Sequence, residues 1–302
     1  MRIKVPLESV DNRIDNYLSE KLDLSRNKVS KMIKEGKVLV NDKPTKVSYK
    51  IKENDIIDSE EYIEEEMTLK PEKMPLDIVY EDDDVIVVNK ANGVVVHPAV
   101  GNKEHTLVNG LLYHATLSDV NGTFRPGVVH RIDAYTTGLL MVAKNNKAHE
   151  ILAHELEQKK TTRKYIALVW GVINEDTGTI DAPIGRNIND RKKMSVTDIN
   201  AKEAVTHFRV LERYKNATLI ELKLETGRTH QIRVHMNYIN HPVVNDPVYG
   251  RRKIIDNTGQ CLHAKTLGFI HPTTKKYMEF ESDLPECFTN ILDRFKQEWK
   301  KF

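Results

Sequence analysis

The feature that most restricts the fold of this chain is a nearly continuous apolar run, Ile166 to Ile173. A run of this length matches a β-strand, and both of its faces have to be covered because apolar side chains point to each of them. Alternating patterns at 204–214 and 217–225 predict an antiparallel strand pair, and 77–90 predicts a hairpin. Strands outnumber helices in this prediction. We therefore expect an α+β fold on a large, mainly antiparallel sheet flanked by helices and loops, and not a doubly wound sheet.

Charge is divided unevenly along the chain. The 302 residues carry a net charge of +2. Residues 53–84 hold fourteen Asp and Glu against two Lys, a local charge of −12, so the remainder carries +14. A basic body with one acidic segment favours a polyanionic partner more than the net charge suggests.

The cysteine content and the N-terminus indicate where the protein works. Cys261 and Cys287 are too few for a disulfide framework or a cysteine-rich zinc site, which points to a reducing compartment. The N-terminus lacks the apolar core of a signal peptide, and the longest apolar run is far too short to cross a bilayer. We expect a cytoplasmic protein without membrane contact.

Residues 1–60 are predicted to form a small α/β domain. Asn12 is a candidate cap for a first helix, and Ser25 and Gly36 bracket a second one. Three lysines recur along one face of the second helix: Lys28, Lys31 and Lys34. This row is either a solvated basic face or a surface that contacts phosphates.

A linker separates this domain from the rest of the chain. Residues 61–75 are rich in acids, contain two prolines and show no buried pattern. We expect an extended acidic linker there, followed by a larger domain at 76–302.

A polar cluster interrupts the apolar sequence of residues 128–145. It reads His130-Arg131-Ile132-Asp133, and an expected tight turn at Thr136-Thr137-Gly138 leads into a strand-like run. This layout places Asp133 in a loop between two buried segments. A carboxylate beside a guanidinium in such a loop is either a structural salt bridge or a catalytic group kept ionised by its neighbour. The local sequence allows both interpretations.

A second polar segment precedes a predicted helix. Thr229 is a candidate cap for this helix, and His241-Pro242 ends it. Arg228 then lies just before the helix and Arg233 one turn into it.

The twelve histidines raise the question of a metal site. His230 and His235 are five residues apart, whereas two ligands on one helical face are four apart. We expect no metal.

Two resemblances connect these segments. The pattern Arg13-Ile-Asp-x-x-Leu18, Ser25-Arg26 and Ile33-x-x-Gly36-x-Val38-x-Val40-Asn41 resembles the alpha-L RNA-binding motif. Further along, four motifs in order resemble those of the RluA/RluD family of pseudouridine synthases: His130–Leu140, Lys164–Gly171, Thr226–His235 with His241–Gly250, and Leu262–Leu267 with His271-Pro272.

The family resemblance implies a reaction and roles for particular residues. The reaction detaches the base of a uridine within RNA and rejoins it through a ring carbon, so no cofactor is expected. Asp133 would be the nucleophile, Arg233 its ion-pair partner and Tyr165 the aromatic residue that stacks on the uracil. Arg131 would fill the space that the flipped base vacates, and Arg228 would face phosphate or be structural.

The resemblance also implies a substrate, and it has one departure. We expect a monomer acting on RNA, most specifically large-subunit ribosomal RNA. The residues after the nucleophile, Ala134-Tyr135, replace the polar pair of many family members, which leaves the local geometry open. One alternative is a non-catalytic RNA-binding or ribosome-assembly factor. A glycosidase is a weaker alternative, since no second carboxylate stands out near Asp133.

Overall fold

The structure, a computed structural model, describes most of the chain. The described residues are 1–62, 69–98, 102, 104–122, 125–190, 193–250 and 254–299. The chain divides into two compact units, Met1–Met67 and Thr68–Phe302. None of the helices within the described ranges is long and apolar enough to span a bilayer.

The first unit packs two helices on a small antiparallel sheet of strand order β1-β4-β2-β3. Its elements are β1 (Arg2–Lys4), α1 (Ile14–Lys21), α2 (Arg26–Lys34), β2 (Val38–Val40), β3 (Lys43–Pro44) and β4 (Ile56–Ser59). The core is formed by apolar side chains at helical spacing, Ile14 and Leu18 of α1 with Val29, Met32 and Ile33 of α2, and by side chains of the sheet.

The caps of these helices test the sequence prediction. Ser25 caps α2 as predicted, with its Oγ accepting from the backbone N–H of Lys28, and Gly36 follows the helix with a φ of 75°. The prediction of Asn12 as the cap of α1 is wrong, because Arg13 occupies that position. Arg13 is held in extended backbone pairing with Lys50, which delays the helix by one residue.

The second unit is built on one sheet of nine strands, which lies in the order β5-β6-β7-β14-β8-β13-β12-β9, with β15 also pairing with β14. The strands of this sheet are β5 (Ile78–Glu81), β6 (Val85–Lys90), β7 (Thr137–Ala143), β8 (Thr162–Trp170), β9 (Thr177–Asp181), β12 (Val205–Arg213), β13 (Ala217–Leu224), β14 (Leu262–Ile270) and β15 (Tyr277–Glu281). A separate hairpin is formed by β10 (Ile184–Arg186) and β11 (Met194–Val196). The helices are α3 (Leu107–His114), α4 (Asn146–Glu157), α5 (Gln231–Tyr238) and α6 (Glu286–Trp299).

Strand direction confirms the predicted fold class. The pairs in the large sheet are antiparallel except for β7 and β14, which are parallel. Gly138 makes this parallel pair possible, because a Cβ there would lie 2.3 Å from the carbonyl oxygen of Ala264 and its φ is 107°.

Helices cover both faces of the sheet, as the apolar run of β8 requires. Tyr165, Ala167 and Val169 share a cluster with side chains of α3 and α5. The intervening Ile166 and Leu168 pack with side chains of α6. This alternation follows from the two-residue period of a strand.

The predicted linker, residues 61–75, falls partly outside the described residues, which leave out 63–68. Residues 69–75 belong to the second unit, where Asn109 Nδ2 donates to the carbonyl of Lys70 at 2.8 Å. The backbone N–H of Glu72 donates to the carbonyl of Asn109. The predicted domain boundaries themselves stay a prediction.

Candidate active site

A cleft of about 590 Å³ opens in the second unit, between the loop before β7, strand β8 and the loop before α5. This volume lies in the range of small-ligand sites. The structure brings together in its lining all five site residues predicted for this domain: Arg131, Asp133, Tyr165, Arg228 and Arg233.

The charges in the cleft are organised around Arg233. Its Nη1 donates to Asp133 Oδ2 at 2.9 Å, and its Nε and Nη2 donate to the two oxygens of Asp246 at 2.7 and 2.9 Å. The side chain of Asp246 is fully buried and that of Arg233 is 5% exposed, whereas that of Asp133 is 19% exposed. Burial opposes the charge of Arg233, but the hydrogen bond to Asp246 and the charges of Asp133 and Asp246 together raise its pKa. Asp133 is therefore the most exposed member of this trio in the cleft.

The position of Arg233 depends on the loop before α5. Gln231 Oε1 accepts from Thr226 Oγ1 at 2.8 Å and from the backbone N–H of Arg228 at 2.9 Å. Its Nε2 donates to the carbonyl of Val205 and to Thr206 Oγ1, both at 3.0 Å. One buried amide thus joins the loop to the sheet and sets where α5 begins.

The prediction of Thr229 as the helix cap is wrong. His230 occupies the cap position with left-handed backbone, φ 57°, and makes no capping hydrogen bond with its side chain. Its ring instead lines the cleft, where Nε2 lies 3.8 Å from Asp133 Oδ1 and Nδ1 lies 2.8 Å from the hydroxyl of Tyr249. Burial lowers the pKa of His230, which favours the neutral imidazole beside the carboxylate.

Tyr165 forms an apolar wall of the cleft on β8. Its side chain is buried in the main core cluster. Burial raises its pKa, and the charge of Asp133 acts in the same direction. The phenol therefore stays protonated at neutral pH.

The loop that carries Asp133 is held by a residue that the sequence analysis missed, Lys90. This lysine ends β6 and is 1% exposed. Its Nζ donates to the carbonyls of Ala91, Val94 and Ala134 at 2.9, 2.8 and 2.7 Å. An ammonium has three N–H donors, and all three are used here. Burial lowers the pKa of Lys90 to about 7, and the charge of Asp133 opposes this shift.

The departing pair Ala134-Tyr135 is not part of the cleft lining. It forms the turn before β7, so the tight turn predicted at 136–138 is wrong by two residues. The side chain of Tyr135 lies against Gly259, where an added Cβ would come within 2.4 Å of Tyr135 Cβ and 2.5 Å of its ring atom Cγ. Ala134-Tyr135 therefore helps to hold the loop that carries Asp133 and does not line the cleft.

Arg131 is exposed beside the cleft, and His97 orients it. Arg131 Nη1 lies 3.3 Å from His97 Nε2. Burial, together with the charge of Arg131, lowers the pKa of His97 to about 4, so the neutral ring accepts from the guanidinium. His130 lies on the other side of the loop and orders it, since its Nε2 accepts from the backbone N–H of Met141 at 3.2 Å.

Arg228 and the lysine row complete the predicted set. Arg228 Nε donates to the carbonyl of Glu203 at 2.7 Å, on the rim of the cleft. The lysines lie on α2 of the other unit, where Lys28 Nζ is 5.2 Å from the centre of the Tyr62 ring and Lys31 Nζ is 3.6 Å from Glu35. Lys34 is exposed.

Within the described ranges of the chain, no group of three or more His, Cys, Asp or Glu side chains is arranged to hold a metal ion.

Comparison with known proteins identifies the chain. Residues 12–57 match the S4 domain and residues 84–238 match RNA pseudouridylate synthase. These matches, with the fold and the cleft, define the class of protein, an RNA-modifying isomerase with an RNA-binding domain at its N-terminus. The chain belongs to the RNA pseudouridylate synthase family. Both resemblances seen in the sequence are thereby confirmed.

Two relatives and one solved structure show how similar this chain is to individual proteins of the family. The chain is 53% identical over 292 residues to YlyB, an uncharacterized RNA pseudouridine synthase of Bacillus subtilis (strain 168), with 96% of each chain covered. It is 43% identical over 309 residues to the ribosomal large subunit pseudouridine synthase D of Neisseria meningitidis serogroup B, covering 98% of this chain and 82% of the relative. Among solved structures, human RNA pseudouridylate synthase domain containing 1 is similar, with a TM-score of 0.57 and 27% identity over 74% of this chain and 95% of the human one.

Proposed function

We propose that this protein isomerises specific uridines of large-subunit ribosomal RNA to pseudouridine, with Asp133 as the reacting carboxylate. The choice of RNA rests on similarity to proteins named ribosomal large subunit pseudouridine synthase D. We also propose that the protein acts as a monomer in the cytoplasm.

The observation that carries the mechanism is the unequal use of the two Asp133 oxygens. Oδ2 accepts from Arg233 at 2.9 Å, while Oδ1 accepts no hydrogen bond among the described residues and lies 3.8 Å from His230 Nε2. Asp133 is thus oriented by Arg233, with one oxygen left for the partly exposed cleft.

The reaction rearranges one nucleotide and exchanges no atoms with a second substrate. The bond between the sugar carbon and the ring nitrogen breaks, a bond from the same sugar carbon to a ring carbon forms, and the proton of that ring carbon leaves. The ring nitrogen ends protonated. Asp133 either attacks the sugar or removes a proton from it; both routes begin with the free oxygen of the carboxylate.

Two neighbours are assigned supporting roles. Tyr165 presents its ring to the uracil, and base–aromatic stacking contributes about 1–3 kcal/mol per base. Its hydroxyl, whose pKa is raised by burial, takes part in proton transfer at the ring carbon. Arg131, exposed at the mouth and oriented by His97, occupies the place of the flipped uridine in the RNA stack.

The test is the isosteric variant Asp133→Asn. We expect it to bind RNA with the affinity of the wild type and to form no pseudouridine, as measured by mapping ribosomal RNA from cells that carry only the variant. Asp176→Asn is the matched control, because Asp176 is exposed, pairs with Arg213 and does not line the cleft. Pseudouridine formed by Asp133→Asn at wild-type sites would rule out the proposed mechanism.

A further inference from the structure

A second arginine lies deep in the cleft, and the proposed mechanism does not use it. Arg163 is 7% exposed and lines the cleft from β8. It precedes Tyr165 by two residues, so both side chains point to the same face of the sheet, roughly 7 Å apart along the strand. Arg163 therefore flanks the surface on which the uracil is proposed to stack.

The guanidinium of Arg163 has no acidic partner among the described residues. Its Nε is buried without a hydrogen bond, and its Nη2 reaches only the carbonyl of Glu225, at 3.4 Å. The carboxylate of Glu225 is engaged elsewhere, with Lys159 at 2.9 Å and His207 at 2.7 Å. Burial lowers the pKa of Arg163, although an arginine stays protonated at any physiological pH.

An unpaired buried cation is costly, since removing a charge from water without a partner destabilises the fold. Such a cost is tolerated where a ligand supplies the missing charge. The other charges nearby do not supply it, because Asp133 is paired with Arg233. The chain thus holds a positive charge in the cleft in advance of its ligand.

The loop beside Arg163 makes room for it. A Cβ on Gly227 would lie 2.7 Å from Arg163 Nη1. The guanidinium therefore lies directly against the backbone of a residue that also lines the cleft, and a larger side chain there would displace it.

We propose that Arg163 binds the phosphodiester of the nucleotide whose base stacks on Tyr165. The planar guanidinium matches a phosphate with paired donors, and such charge-assisted hydrogen bonds are the strong ones. The two-residue spacing on β8 lets one nucleotide reach both side chains. This inference rests on the proposed function, because it takes the occupant of the cleft to be a uridine in RNA.

The test removes the negative charge of the phosphodiester and the positive charge of Arg163, first separately and then together. RNA substrates carry a neutral methylphosphonate in place of the phosphodiester on the 5′ or the 3′ side of the target uridine, and a third carries it three nucleotides away. The enzymes are the wild type, Arg163→Gln and Arg228→Gln. Both kcat/KM for pseudouridine formation and Kd are measured for every combination.

We expect the wild type to lose roughly 10- to 100-fold in both quantities on one of the two neighbouring neutral linkages. Arg163→Gln should show this loss already on normal RNA and lose less than threefold more on the neutral linkage. The loss from Arg228→Gln should multiply with the loss from a neighbouring neutral linkage. The loss from Arg163→Gln should likewise multiply with any loss from the distant linkage. If the losses from Arg163→Gln and from both neighbouring linkages multiply as well, Arg163 does not bind that phosphate.

A stability measurement separates a ligand site from a structural role. Arg163→Met removes an unpaired buried charge at similar volume, so we expect the unfolding midpoint of the RNA-free protein to stay or to rise. Arg213→Met is the control, since Arg213 is hydrogen-bonded to Ile173 and Asp176, and its midpoint should fall. A fall for Arg163→Met with unchanged RNA affinity would overturn the proposal.

The two proposals fail in different ways. Absence of pseudouridine with the wild type on normal RNA contradicts the proposed function. Even then, the Kd values show whether the effects of Arg163→Gln and of a neutral linkage on RNA binding depend on each other. If these two effects on Kd multiply, the phosphate site is contradicted and the proposed function is not.

Discussion

Arg233 binds Asp246 through two nitrogens, Nε and Nη2, in a fully buried, parallel pair of hydrogen bonds. Asp246 in turn accepts from the backbone N–H groups of Val248 and Tyr249 at 2.8 and 3.0 Å. The arginine is thus locked before any substrate enters, and only Nη1 is left for Asp133. The position of the proposed nucleophile thus depends on a carboxylate that does not line the cleft.

Asp246→Asn should keep the fold and misalign Arg233, because an amide cannot accept two hydrogen bonds from the guanidinium in the same geometry. We expect kcat to fall by about 100-fold, the loss associated with a displacement near 1 Å at a catalytic group. Single-turnover formation of pseudouridine measures this. Asp176→Asn, an exposed acid-to-amide change, should leave kcat unchanged, and equal rates for both variants would contradict the locking role.

Lys90→Met should destabilise the second unit. It removes a buried donor from three carbonyls, one of them on Ala134 next to Asp133, and we expect a loss of about 2–4 kcal/mol in the free energy of unfolding. Lys223→Met, an exposed change on β13, should stay within about 0.5 kcal/mol of the wild type. Chemical denaturation compares the two, and a wild-type midpoint for Lys90→Met would mean that the loop is anchored by other contacts.

Tyr165→Phe separates the ring from the hydroxyl. The ring should still stack on the uracil, so we expect Kd for RNA to stay within about threefold. Turnover should fall by about 100-fold or more if the hydroxyl assists proton transfer. Tyr135→Phe, an exposed change outside the cleft lining, serves as the control for losing a hydroxyl. Turnover near the wild-type rate would leave Tyr165 with stacking alone.

Acid should weaken the first unit through Asp15. Hydrogen bonds from Arg13 and then Arg26 lower the pKa of this buried carboxyl to about 2, against the opposing effect of burial. Because the folded value lies below the ordinary value of 3.8, the stabilisation is complete above pH 3.8 and is lost as the pH falls towards 2. We expect a loss on the order of 1–2 kcal/mol, measured by denaturation between pH 5 and 2. Asp15→Asn should lack this dependence and Asp42→Asn, an exposed change, should keep it.

The lysine row should account for part of the salt dependence of RNA binding. Replacing Lys28, Lys31 and Lys34 by Gln should flatten the slope of log K against log salt by about 2, if these side chains release counterions from phosphates. A triple change of Lys4, Lys43 and Lys50, exposed lysines of the same unit, loses the same charge and is the control. Equal slopes for the two triple variants would assign the row on α2 to solvation.

Local pattern was enough to predict much of this protein. The apolar run of β8 required cover on both faces, and α3, α5 and α6 provide it. The capping of α2 by Ser25 was also predictable, because the hydrogen bond spans only three residues. Asp133 and Arg233, a hundred residues apart, were paired only through the family resemblance.

Other features could not be predicted because they depend on groups distant in the sequence. Lys90 looked like the polar end of an apolar strand, and its third acceptor lies 44 residues away on Ala134. Asp246 stood in a recognised motif, but only the fold shows that it occupies two nitrogens of Arg233. Arg163 carried one available signal, its two-residue spacing from Tyr165 on a buried strand. Only the structure shows that its guanidinium has no acidic partner among the described residues.

The parallel pairing of β7 with β14 has a consequence for the order in which the protein is made. It joins the strand that follows Asp133 to residues near 263, and Thr137 and His263, hydrogen-bonded to each other, are 126 residues apart. Contacts between such distant segments form late, because the entropy of closing the loop is lost before the contacts are gained. During translation, β7 can therefore pair with β6, but its other edge stays unpaired until β14 has emerged. A nascent chain that already contains Asp133, Tyr165 and Arg233 should therefore still lack the pairing of β7 with β14 beside the nucleophile loop.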